Sequence, residues 1–208
     1  MKFTIVGSFG GAEEIYRSKP QLVHDVEAAL HGLNIPLGYK TSASLPDDIQ
    51  AAFQNQDLGW QRQVPSQLKL DTALGSRTSP KSVDLRHAKL RVDIEIERGN
   101  VGSFYRDIFK FNIHHNRDII DLGIIIMPNR KLSLALGENI AWTGRFADEL
   151  RISWACEANN DCPILLIELV PEHYPEGHSL LDQKAMEALR ELQESRKGER
   201  SRYPLSRS

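Results

Sequence analysis

The sequence predicts an α/β protein built on a mixed β-sheet flanked by helices. Three observations carry this. Residues 90–97 alternate, with Leu90, Val92, Ile94 and Ile96 set against Arg91, Asp93, Glu95 and Glu97. A period of two over that length is a half-buried strand. Residues 121–128 (DLGIIIMP) and 163–171 (PILLIELVP) are continuous apolar runs bounded by proline, the pattern of strands buried on both faces of a sheet. Helical patterns separate the three. Strand, helix, strand, helix, strand in that order implies an α/β core.

The remaining elements follow along the chain. Residues 2–6 (KFTIV) read as a short strand. In residues 20–31, Leu22, Val23, Val26, Ala29 and Leu30 recur at helical spacing with Pro20 in the first turn, and Asn34 to Gly38 stop the helix. Residues 46–56 suit a second helix, opened by Pro46 and two acids, and Leu58 to Val64 a strand. Residues 66–81, rich in Ser, Thr, Gly, Lys and Pro, read as loop. Residues 83–86 form a hairpin with 90–97 across a turn at His87–Lys89. Residues 103–116 place Phe104, Ile108 and Phe111, and Tyr105, Phe109 and Ile113, at helical spacing, a largely buried helix. Residues 138–151 are helical with Arg145, Asp148 and Arg151 exposed, and 179–197 form an amphipathic helix.

At 208 residues the chain suits one domain, here 1–195, followed by a basic tail over 196–208. The tail carries a net charge of +4, which leaves −6 on the body. A basic tail on an acidic body suits a phosphate backbone, and a solvated frayed end is the plain alternative. No apolar stretch is long enough to span a bilayer, and the N-terminus lacks a signal-peptide core. A cytoplasmic protein without a membrane partner is expected. Cys156 and Cys162 lack zinc-site spacing and read as two free thiols. The segment IVGSFGGAEE has Gly7, Gly10 and Gly11 but not G-x-G-x-x-G, so no nucleotide cofactor is expected. His114 and His115, adjacent on a helix, diverge too far to chelate one ion and read as polar helix-end residues.

The candidate chemistry lies on the alternating strand. Asp93, Glu95 and Glu97 leave the same face, about 7 Å between neighbours. Carboxylates so placed raise one another's pKa. An edge strand in water tolerates this; a strand inside a sheet needs a cation. The hairpin brings Asp84 beside Glu95. Asp84, Glu95 and Glu97 then form a cluster able to bind Mg²⁺ and activate a water. On spacing alone, an ordinary charged strand face remains the alternative.

The segment Asp84 … IEIERGNVGSFYRDIFKF resembles the active-site region of the BglII, BamHI and BstYI group of type II restriction endonucleases, within the PD-(D/E)xK nuclease superfamily. The shared features are an aspartate (Asp84), a Glu-x-Glu strand end (Glu95-Ile96-Glu97), a short turn (Gly99-Asn100) and an aromatic helix with Arg106-Asp107-Ile108. AEEIYRSKPQLVHDVEAAL is similar to the first helix of BglII, and PILLIELVP to the last core strand of BstYI.

The resemblance implies a restriction-endonuclease-like core and a Mg²⁺-dependent homodimer that cuts double-stranded DNA at a short palindrome, with a GATC core as the expected target. Asp84 and Glu95 become metal ligands. Glu97 stands where the superfamily often has lysine, matching the acidic version of the site, in which the glutamate orients or activates water. The group also uses an acid from an earlier helix, for which the sequence offers no counterpart. Arg98, on the face opposite Glu97, either packs on the sheet or reaches a phosphate. For DNA contact the expected residues are Asn129, Arg130 and Lys131 in the loop after the central strand, Asn100, Ser103 and Tyr105 at a helix start, and Arg200 and Arg202 in the tail. The alternative is a DNA-binding, repair or defence protein on a nuclease fold without palindromic cleavage.

Overall fold

The computed structural model describes residues 1–33, 45–54, 58–65, 69–72, 75–78, 82–97, 101–135, 142–155 and 161–172. Six strands make one sheet in the order β1-β8-β7-β6-β5-β2. They are β1 (Lys2–Phe9), β2 (Gln61–Pro65), β5 (Ser82–His87), β6 (Val92–Ile96), β7 (Leu122–Pro128) and β8 (Ile164–Val170). The sheet is mixed, as expected. β6, β7 and β8 run parallel, while β1, β5 and β2 pair antiparallel. The parallel strands sit at the centre, where both faces are covered, and this explains why β7 is buried at every position.

Two apolar layers enclose the sheet. On one face Val92, Ile94, Ile96, Leu122, Ile124 and Ile126 pack with residues of α2 (Pro20–His31) and α3 (Leu45–Gln54). On the other, Ile125, Met127, Ile164 and Leu166 meet α4 (Val101–Asn116) and α6 (Thr143–Ala155) through Phe104, Ile108, Phe111, Phe146 and Leu150. Gly123 lets α4 come close. A Cβ there would stand 2.4 Å from Phe111 Cδ2.

The structure corrects the expected elements in five places. β6 is buried on both faces rather than half-buried, because α4 covers its charged side. The expected loop over 66–81 contains a small separate sheet, β3 (Lys69–Thr72) with β4 (Gly75–Thr78), held by backbone pairing that hydrophobic patterning does not register. A short helix, α1 (Ala12–Arg17), precedes α2; Gly10 and Gly11, both at positive φ, turn the chain into it. The segment after β7 is not a loop but α5 (Arg130–Ala135). The helix expected at 138–151 begins at Thr143 and ends at Ala155; Arg145, Asp148 and Arg151 are exposed on it. The stop at Asn34–Gly38, Cys156, the helix at 179–197 and the tail lie outside the described residues. Cys162 is a buried free thiol whose pKa burial pushes up to about 12.

Candidate active site

The site begins with a register. β5 and β6 pair antiparallel, Leu85 opposite Ile94 and Arg86 opposite Asp93, so the next position sets Asp84 opposite Glu95. The expected turn at His87–Lys89 forms one residue later, closed by the Arg91 N–H on the Ala88 carbonyl. Asp84 Oδ2 accepts a 2.9 Å hydrogen bond from the Ile96 N–H, which fixes its carboxylate at the end of β6. Glu97 follows directly, its N–H bonded to the Ile126 carbonyl.

α4 lies across the acid row in the opposite sense. Two strand residues advance about 7 Å and four helical residues about 6 Å, so a polar stripe on the helix can match the row step by step. His114 meets Asp93, with Nδ1 2.7 Å from Oδ2. Lys110 hydrogen-bonds to Glu95 and ion-pairs with Asp107 at 2.8 Å. Its third contact is the Ser82 carbonyl, at 3.2 Å. Ser103, Arg106 and Asp107 continue toward Glu97 along a cleft of about 600 Å³. Asp84, Glu95 and Glu97 all line this cleft. The expected cluster is therefore brought together.

Asp93 is not part of the opening. Arg86 grips it with two bonds of 2.6 and 2.7 Å, and it is fully buried. His114 belongs to this pair. It is a polar residue in the last turn of α4, as expected, but it is 1% exposed, and Asp93 and Arg86 both contact its ring.

The electrostatics separate the acids further. Burial raises the pKa of Asp84, with the charge of Asp107 adding and the Ile96 N–H and Lys110 opposing. Glu95 is pushed well above the usual carboxylate range, by burial first and then by Asp107, against the pull of Lys110. For Lys110, burial works against the ammonium, but Glu95 and Asp107 outweigh it and raise its pKa.

This bears on whether a divalent ion fits. The donors are oxygens, which suits Mg²⁺, and Mg²⁺ keeps several waters and needs only one or two carboxylates. Asp84 and Glu95, opposed across the hairpin and both lining the cleft, meet that need. Among the described residues no three His, Cys, Asp or Glu side chains form a ready-made chelate, so the fit rests on this pair.

The family model for the restriction endonucleases BglII and BglIII matches residues 4–169. The chain belongs to the BglII restriction endonuclease family. It is a site-specific deoxyribonuclease by that membership, with the mixed, helix-flanked sheet of the family. The crystal structure of BglII with a DNA 16-mer superposes with a TM-score of 0.64 at 16% identity, covering 83% of this chain and 78% of that one. Free BglII gives 0.55 at 19% identity, covering 83% and 81%. At such identities the structural likeness speaks for the fold alone. No curated protein matches the chain in sequence.

The expected DNA-contact residues divide. Ser103 lines the cleft. Tyr105 turns to α6, where its hydroxyl donates to Glu149 at 2.7 Å. Asn129 caps α5, Oδ1 accepting from the Leu132 N–H at 2.7 Å. Arg130 lies over the Trp142 ring, and Lys131 is exposed. None of these four lines the cleft, although the segment leaves β7 at the sheet end where Glu97 leaves β6. Asn100, Arg98, Arg200 and Arg202 lie outside the described residues.

Sequence reasoning missed Lys110, and it matched Arg106 and Asp107 to the family helix without giving them a role in the site. Their signal was present: Ser103, Arg106, Asp107, Lys110 and His114 recur at 0, 3, 4, 7 and 11, one face of a helix. The apolar periodicity of the same segment drew the attention instead. An acid from an earlier helix is also at hand. Asp47 on α3 lines the cleft and pairs with Arg62 at 3.0 Å.

Proposed function

We propose that this chain is a type II restriction endonuclease that hydrolyses a phosphodiester of double-stranded DNA with Mg²⁺, cutting a short palindromic site as a homodimer. The observation that carries the reading is one cleft lined by Asp84, Glu95 and Glu97.

Asp84 and Glu95 would hold the ion. When bound, Mg²⁺ lowers the pKa of a coordinated water and offsets charge on the phosphoryl oxygens. The chain's residues do the rest. The backbone N–H of Ile96 keeps Asp84 in place. Glu97, on the cleft wall, accepts a proton of the attacking water and aims its lone pair at phosphorus. Arg106, with a side chain 44% exposed at the cleft, draws the phosphate backbone in. Asn129, Arg130 and Lys131, near the same sheet end, and the tail arginines Arg200 and Arg202 are the proposed contacts further out, with Asn100, Ser103 and Tyr105 near the helix start.

Homodimerisation draws support from α4 and α6. Phe104 and Phe146 stack between them, yet Phe109 and Ile152 are each 62% exposed. Large apolar side chains left in water on neighbouring helices suit a second copy, and a twofold dimer reads a palindrome one half-site per subunit. Residues 1–195 would form the catalytic domain and 196–208 a DNA arm, in a cytoplasmic protein; a GATC core is the proposed target. Among the described residues no helix is long and apolar enough to cross a membrane.

The test is a digest of a long, fully sequenced, unmethylated duplex with Mg²⁺, with EDTA, and with Glu95→Gln. Discrete fragments that need Mg²⁺ and vanish in the variant are expected, and end sequencing then gives the site. A failure of the wild type to cut with either Mg²⁺ or Mn²⁺ contradicts the proposal.

A further inference from the structure

The Lys110 ammonium has three oxygen neighbours. It hydrogen-bonds to Glu95 and to the Ser82 carbonyl at 3.2 Å, and it ion-pairs with the Asp107 carboxylate at 2.8 Å. Its side chain is 6% exposed, although it lines an open cleft. Two of its acceptors are carboxylates, and a third carboxylate, Asp84, stands across the hairpin. A buried acid pair without a cation is unfavourable, and Lys110 is the cation that the fold itself provides at Glu95.

We propose that Lys110 is a resident counter-ion that occupies Glu95 until a divalent ion binds, and is then released from Glu95 to present an N–H to the DNA in the cleft. This deepens the proposed function and rests on its assignment of Asp84 and Glu95 as metal ligands. The physical basis is competition. Ammonium and metal ion seek the same carboxylate oxygens, and a neighbouring positive charge weakens the binding of another. A flexible four-carbon stem lets the ammonium move away without disturbing the helix. Arg86 at Asp93 has no such freedom, since its two-pronged grip fixes both partners. The exchange couples ion loading to phosphate contact, because the N–H that Lys110 gives to Glu95 passes to the DNA only once the ion is in place.

The experiment uses the full chain without DNA and MnCl₂ as the probe, followed by the loss of the free-ion EPR signal. Wild type, Lys110→Met, Lys110→Arg and Asp84→Asn are compared. Lys110→Met should bind Mn²⁺ about tenfold tighter than wild type, Lys110→Arg should not, and Asp84→Asn should lose binding. Amine acetylation of wild-type protein, read at Lys110 by mass spectrometry, supplies a second readout that needs no variant. Acetylation should rise several-fold on adding Mn²⁺. Unchanged or weaker Mn²⁺ affinity in a folded Lys110→Met, or acetylation that does not rise, overturns the counter-ion proposal while leaving the metal site standing, provided wild type binds Mn²⁺ through Asp84. If wild type binds no Mn²⁺, or Asp84→Asn binds as well as wild type, the metal assignment fails and the counter-ion proposal with it.

Discussion

Asp93 and Glu95 are two residues apart on one strand, share a face and are both covered by α4, yet they belong to different kinds of environment. Asp93 is held by a guanidinium with two bonds and by the His114 ring, and no part of it is exposed. Glu95 is paired with a flexible ammonium and borders an open cleft. The first pairing is geometrically closed: planar guanidinium and planar carboxylate fix each other. The second is open to exchange. One row of acids is thus divided into a structural half and a chemical half by the cations that α4 and β5 bring to it.

That contrast can be broken first at its structural half. Arg86→Met leaves Asp93 buried with its main partner gone, and the loss of one member of a buried pair costs about 3–5 kcal/mol. Denaturant unfolding should show a loss of that size, with metal-dependent cutting retained by whatever fraction stays folded. Next comes the spacing of helix and sheet. Gly123→Ala forces a Cβ into the Phe111 ring and should cost about 1–3 kcal/mol while pushing α4 from the acid row. Cleavage should therefore fall more than the folded fraction does, measured by urea melts beside initial rates.

The smallest effect sharpens the chemical half. The pKa of Asp84 is raised in the fold, so the folded state binds its proton more tightly than the unfolded chain, and ionisation costs stability as pH rises through that range. Asp84→Asn removes the cost while its side-chain oxygen can still accept from Ile96. Its melting temperature should exceed that of wild type by a few degrees at pH 7. The gap should close as pH falls below the ordinary carboxylate range, where the wild-type group is protonated in both states. Asp121, paired with Arg91 and Lys19, has a lowered pKa, and Asp121→Asn should show the opposite sign: a loss at pH 7 that shrinks in acid as pH falls through the folded pKa.

Much of this was legible in the sequence, for reasons tied to particular residues. β7 and β8 were visible because interior parallel strands are apolar throughout, and β6 because Val92, Ile94 and Ile96 alternate with acids. The hairpin that sets Asp84 beside Glu95 followed from chain length between the two strands. The burial of β6 was not legible, since alternation alone signals a solvent face; only the helix that covers it, with its own polar stripe, makes the acids interior. The pairings of Lys110 and His114 were hidden by the same fact, because a polar residue on an apolar helix has meaning only once its strand partner is known. β3 and β4 carry no hydrophobic signature at all.

Two isosteric amides, Asp93→Asn and Glu95→Gln, compared by thermal melting and by the Mg²⁺-dependent cutting rate per folded molecule, separate the structural end of the acid row from its chemical end. Asp93→Asn should melt markedly lower but cut at close to the wild-type rate when folded. Glu95→Gln should stay folded and lose at least about a hundredfold in rate, the scale of removing one charge-handling group from an active site. Full cutting by Glu95→Gln, or an equal loss of rate in a well-folded Asp93→Asn, would contradict that division.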